Sequence, residues 1–95
     1  MIVGGVGPTQ AATPEVKEYV AFVRREVEEK AGRSFSEFEA KTFISQVVAG
    51  INYFVKVHIG SGEFLHLRLY KHFAKDVTLH SIQEGKTEAD EISYF

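Results

Sequence analysis

Residues 38–59, FEAKTFISQVVAGINYFVKVHI, decide the fold. Two strand-like runs flank the uncharged pentapeptide Gln46-Val47-Val48-Ala49-Gly50. Residues 38–45 precede it, and Asn52-Tyr53-Phe54-Val55-Lys56-Val57-His58-Ile59 follow. A connection between strands usually carries Gly, Asn, Asp or Pro, which suit turn geometry and face water. Here two valines and an alanine stand where the chain must reverse, and Gly50 alone is conformationally permissive. Apolar side chains at a hairpin tip are unfavourable in water, so the pattern predicts a partner that covers them. On residue statistics alone, Val47 and Val48 read instead as core residues of a strand.

Working outward, Tyr53, Val55, Val57 and Ile59 alternate with Phe54, Lys56 and His58. Leu65, Leu67 and Leu69 alternate with Phe64, His66, Arg68 and Tyr70. Placing both apolar sets on one face requires opposing residue numbers to sum to an even value. Pairing Ile59 with Leu65 and Val57 with Leu67 meets that condition. It leaves a three-residue loop, Ser61-Gly62-Glu63, a length suited to a glycine-bearing bulged hairpin. In that register His58 faces His66 on the far side of the sheet. Two imidazoles so placed can hold a metal ion weakly. Without a cysteine or carboxylate beside them, the favoured reading is two half-exposed sheet residues and no metal.

The earlier strand has mixed parity: Phe38, Ala40, Thr42 and Ile44 share one face, yet Phe43 also suits burial. A bulge between 40 and 44 reconciles them. A weaker strand is predicted over 77–82. The tail from Gly85 is polar until Tyr94-Phe95, with Glu88, Asp90 and Glu91 read as a solvated charged segment.

Upstream, Thr13-Pro14-Glu15 predicts a helix start: a capping hydroxyl, a proline where no amide donor is needed, and an acid at the positive dipole end. Val16, Tyr19, Val20, Val23 and Val27 then recur at spacings of three and four, the stripe of an amphipathic helix that Gly32 ends. Residues 1–12, with Gly4, Gly5, Gly7 and Pro8, form a flexible arm that can add an edge strand. One helix followed by antiparallel strands predicts an α+β domain with the helix on one sheet face.

Ninety-five residues suit one domain with a modest core. A net charge of −2 and the lack of basic clusters argue against nucleic acid as a partner. No run approaches the roughly 20 apolar residues that cross a bilayer, so no membrane is expected. With no cysteine and no leader-like start, the expected compartment is reducing, and a thiol enzyme is excluded. The arm's glycines match neither a dinucleotide fingerprint nor a phosphate loop, and no spacing suggests a catalytic triad.

The chain resembles the cystatins, specifically their stefin branch, over essentially its whole length. The resemblance rests on Gly4-Gly5 after a short apolar start, Ala12-Thr13-Pro14-Glu15, and Gln46-Val47-Val48-Ala49-Gly50. Asn52-Tyr53, Lys56-Val57, His66-Leu67-Arg68 and the aromatic pair Tyr94-Phe95 follow in the same order. It implies a single stefin domain over 1–95, with 1–12 as its binding arm and a five-stranded antiparallel sheet wrapped around one α-helix.

The function implied is tight, reversible inhibition of papain-like cysteine proteases: papain and cathepsins L, S, H and B. A wedge of the arm (Ile2, Val3, Gly4, Gly5) and two hairpin loops would enter the protease cleft. The first loop is Gln46-Val47-Val48-Ala49-Gly50. Stefins usually carry Leu-Pro in the second, where this chain reads Phe73-Ala74 in a shorter loop, so a stiffening proline is missing. The resemblance also implies no cofactor, a cytoplasmic and also nuclear location, and a monomer, with a domain-swapped dimer as its other state. The competing reading is a non-inhibitory interaction module that dimerises by strand exchange.

Overall fold

Thr13 opens the helix as its neighbours require. Its hydroxyl accepts a hydrogen bond from the Val16 amide at 3.2 Å, Pro14 takes the first helical position, and Glu15 lies in the first turn. The helix, α1, spans Pro14–Ala31 and stops at Gly32, whose φ of 73° lets its amide reach the Glu28 and Glu29 carbonyls. These features belong to a computed structural model that describes residues 6–95.

Five strands accompany the helix: β1 (Gln10–Ala11), β2 (Glu39–Val48), β3 (Gly50–Gly60), β4 (Glu63–Lys71) and β5 (Thr78–Lys86). They lie side by side in sequence order, each pair antiparallel. The α+β, cystatin-like architecture expected from the sequence is therefore present, and the arm does contribute an edge strand. No helix among the described residues is long and apolar enough to cross a membrane.

The core lies between α1 and one sheet face. Val16, Val20, Val23 and Val27 pack with Phe43, Tyr53, Val55, Val57, Leu65, Leu67 and Leu69. Both the helical stripe and the strand alternation thus point where their periods require. Tyr19 packs at the margin of this cluster, only partly buried. A bulge between Ala40 and Thr42 shifts the β2 register, so Ala40 and Phe43 both reach the core despite opposite parity. The helix is tied to the entry of β2 by Glu28, whose carboxylate accepts from the Phe35 amide at 3.0 Å and from Arg24 Nε at 3.3 Å. The Phe35 amide foremost, then Arg24, hold this carboxyl below its ordinary range.

The β3–β4 connection differs from the expected one. Ser61 and Gly62 alone form the loop, with φ of 52° and 70°, the positive pair that a tight type I′ hairpin turn demands. A second irregularity, between His58 and Gly60, absorbs the change of parity. The leucines still face the helix, but Val57 opposes Leu65 and Val55 opposes Leu67. His66 therefore stands opposite Lys56, not His58. His58 instead lies against the Phe64 ring at 4.9 Å, with its Nδ1 3.6 Å from a Glu37 carboxylate oxygen.

His66 is also not half-exposed. It is 1% exposed, because the chain beyond β5 packs across the face of the sheet opposite the helix. Lys56 Nζ donates to the Glu88 and Asp90 carbonyls. Arg68 donates to the Phe95 backbone oxygen at 2.7 Å, and the rings of Tyr94 and Phe95 flank fully buried Phe54 at 5.5 and 5.6 Å. The supposed solvated tail is a third layer. Its carboxylates face solvent, as does much of the Tyr94 ring, but the Glu88, Asp90 and Phe95 backbone oxygens are turned onto the cations of the sheet.

His66 Nε2 has no hydrogen-bond partner within this layer. Burial foremost, with the Lys56 and Lys86 cations adding and Asp90 opposing, pushes its pKa down to about 4. A histidine whose pKa falls on folding must be neutral in the folded state, so its contribution is complete above pH 6.5 and is lost as pH falls toward 4. The Glu28, Glu39 and Asp90 carboxyls are also lowered from ordinary values, and their losses begin at lower pH. Denaturation midpoints recorded between pH 7 and 4.5 should fall steadily in the parent chain, and the slope should be distinctly shallower in His66→Gln.

Candidate functional site

The pentapeptide folds as two strand ends and a one-residue tip. Val47 opposes Ile51 and Val48 opposes Gly50, leaving Ala49 alone at the reversal. Val47 and Val48 are thus strand residues by hydrogen bonding, as residue statistics suggest, yet they are not core. Val47 is 69% exposed and Val48 37%. The helix does not cover this end of the sheet, so the apolar tip projects into solvent as the sequence pattern predicts.

Gly50 makes so tight a reversal feasible. Its φ is 128°, a region side chains disfavour. A Cβ there would also lie 2.6 Å from the Tyr70 hydroxyl and 2.7 Å from the Lys71 carbonyl oxygen. Gly50 therefore lets β4 approach the tip closely, and it is buried while its three predecessors are exposed. Gln46 finds its anchor directly across the hairpin: Asn52, its register partner, donates Nδ2 to Gln46 Oε1 at 3.0 Å. Tyr70 continues this row on β4, and its hydroxyl donates to the Ala49 carbonyl at the tip.

The second loop emerges at the same end of the sheet, because Lys71 at the close of β4 pairs with Ile51. Residues 72–77 turn back into β5. The Lys75 amide donates to the His72 carbonyl at 3.1 Å. Lys71 Nζ donates to the His72 carbonyl at 3.1 Å and also to the Lys75 carbonyl. Phe73 stands out from this turn, 76% exposed, and Ala74 beside it is exposed too.

The arm runs toward the same end. Ala12 donates to the Lys41 carbonyl at 3.0 Å and Gly7 to the Ser45 carbonyl at 2.8 Å, so the chain traced backward advances along β2 toward Val48. Ile2, Val3, Gly4 and Gly5 lie outside the described residues. Of the expected site, residues 46–50 and Phe73-Ala74 are brought together at one sheet end, with Gly7 leading toward it.

Asn52, Tyr70 and Lys71 were not expected here. Asn52 had a signal: asparagine is unusual within a strand, and it falls opposite Gln46 once the hairpin is centred on Ala49. For Tyr70 the alternation indicates only a face, and nothing marks its hydroxyl. Residues 46–50 contain no ionisable side chain. The site offers an apolar ridge with braced backbone and is suited to filling a groove. Gly50→Ala should lower stability by about 1–3 kcal/mol from backbone strain and crowding against Lys71; an unaltered urea midpoint would contradict the close approach.

Comparison with known proteins places the chain in a family. The Cystatin domain profile matches residues 4–90. Cystatin-B of Homo sapiens is 44% identical over 98 aligned positions spanning all of both chains. Cystatin-A1 of Sus scrofa is 39% identical, spanning all of this chain and 95% of its own. Cystatin-A of Felis catus is 38% identical over the full length of both.

Proposed function

The chain belongs to the stefin branch of the cystatins, a family of cysteine protease inhibitors, and from that premise we propose that it blocks the active-site cleft of papain-like proteases, papain and cathepsins L, S, H and B among them. The observation that carries this reading is the exposure of Val47, Val48 and Phe73 on two loops at one sheet end. Isolated exposed apolar residues need no explanation, whereas several gathered on two loops at one sheet end call for a covering partner.

The cleft of such a protease holds an activated thiolate between apolar subsites. A lasting blocker must cover the sulfur without offering a carbonyl at attack distance. Gly4 has no side chain, so the arm's backbone can pass close to the nucleophile and turn away, with Ile2 and Val3 in the apolar subsite. Gly5 extends this freedom toward Gly7. Val47, Val48 and Ala49 bury apolar area beyond the thiolate, and Phe73-Ala74 extend the ridge. Loops already ordered by their strands lose little conformational freedom on binding. An interface of about 1,600 Å² in total would suit this mode.

Titrating papain with the purified chain against a fluorogenic peptide should give stoichiometric loss of activity by monomer. A dimer without inhibition in gel filtration and the same titration would favour the strand-exchanged module instead. Val48→Asp should raise the inhibition constant about tenfold or more, since an unpaired carboxylate would be driven into an apolar interface. Its thermal midpoint should stay near the parent's because Val48 is partly exposed; a folding collapse would make Val48 a core residue. Removal of residues 1–4 should accelerate release from at least some cathepsins while association changes little. Undiminished affinity across a cathepsin panel would remove the arm from the wedge.

A further inference from the structure

Tyr70 and Lys71 are consecutive, yet each reaches a different loop. The Tyr70 ring sits over the bare backbone of Gly50, its hydroxyl donating to the carbonyl of Ala49, the single residue at the tip of the first hairpin. The Lys71 ammonium turns the other way. It closes the 72–75 turn by donating to the carbonyls of His72 and Lys75, at the two ends of the segment that displays Phe73.

Both residues sit on well-held backbone. Tyr70 is paired with Asn52 on one side and Thr78 on the other, and Lys71 is paired with Ile51. The Thr78 hydroxyl lies 3.5 Å from the Tyr70 carbonyl.

We infer that Tyr70 and Lys71 are positioning residues that lock the two exposed loops into one rigid ridge. The proposal rests on the inhibitory reading for its consequence, slower release of the protease, but the bracing itself is a property of the free chain. A tip of one residue has its carbonyl pointing out of the hairpin ladder, with no strand partner to fix it. A phenolic hydroxyl from the neighbouring strand supplies that missing restraint. In the second loop, no proline holds the turn carrying Phe73, and a charged donor shared between two carbonyls does so instead, because charge-assisted hydrogen bonds are stronger than neutral ones. One dipeptide thereby sets the spacing between Ala49 and Phe73, which neither loop fixes alone.

The test uses the full chain and two variants, Tyr70→Phe and Lys71→Met, each of which retains the bulk of its side chain. In Tyr70→Phe, the Ala49 carbonyl ¹³C resonance should move upfield as its hydrogen bond is lost, and the Gly50 amide order parameter should fall. Papain should leave this variant about fivefold faster with association unchanged, the effect expected for one neutral hydrogen bond present only in the ordered loop. In Lys71→Met the same loss of order should appear at Phe73 and Ala74, and release should again quicken. Thermal midpoints close to the parent's would exclude a general loosening of the fold. Parent-like carbonyl shifts and order parameters in both variants would overturn the bracing, and altered loop order with parent-like release would overturn its consequence. A parent chain that fails to inhibit papain would overturn the inhibitory reading, and the bracing would then stand or fall on the two NMR readouts, which need no protease.

Discussion

The sidedness of β3 and β4 is the constraint on which the rest of the structure depends. Tyr53, Val55, Val57 and Ile59 of β3 and Leu65, Leu67 and Leu69 of β4 share one core with the helix valines, and a slip of one position would turn every one of them outward. That single requirement dictates where irregularities fall. The chain enters β2 with one parity and reaches Phe43 with the other, so it bulges at Lys41. It reverses at Ser61-Gly62 with an odd register, so it bulges again between His58 and Gly60. Beyond those corrections β2, β3 and β4 keep register with one another to the opposite end, where both loops emerge.

At that end the physics changes. Beyond the reach of α1 no core among the described residues takes up Val47 or Val48, and a hairpin free to choose would hide them. It cannot, because the ladder through Val48 and Gly50 fixes their direction. Exposure of apolar groups is here imposed by hydrogen-bonded geometry and stabilised from beside it. Gln46 and Asn52 join across the hairpin, and Gly50 admits β4 close enough for Tyr70 to reach the tip. The stability lost at an uncovered ridge is small beside the core, and the ridge gains a fixed shape in return.

Much of this was legible in the sequence, for definite reasons. The helix announced itself through Thr13-Pro14-Glu15, the valine stripe and Gly32, because caps and periodicity are local properties. Phe43 set against Ala40 betrayed a bulge, since parity conflicts have few remedies. The β3–β4 register was legible only in parity: an even sum is common to the expected pairing and the observed one, and the choice between them depends on Ser61 accepting a positive φ, which its chemistry does not advertise. That two-residue difference moved His66 from His58 to Lys56. The third layer was illegible because Glu88, Asp90 and Glu91 look solvated, and their carboxylates are. The contacts that matter are made by backbone carbonyls, which every residue possesses and no composition reveals. The roles of Tyr70 and Lys71 are illegible for the same reason, since their partners are carbonyls as well.

That outer layer bears on the loops more directly than its distance in sequence suggests. Had the tail been solvated, the outer face of β3 would carry Phe54, Lys56 and His58 to water, and a sheet covered on one side only can flex about its twist. Instead Phe54 is enclosed by Tyr94 and Phe95, while the Arg68 guanidinium lies 5.6 Å from the Phe54 ring and 5.0 Å from that of Tyr94. Phe54 and Arg68 form the cross-strand row immediately beneath Asn52 and Tyr70 on the same face. The platform from which Tyr70 reaches Ala49 is therefore clamped from both sides, by helix valines within and tail aromatics without. Rigidity at the ridge needs such a base, because a brace anchored to a bending strand would move with the loop it is meant to hold.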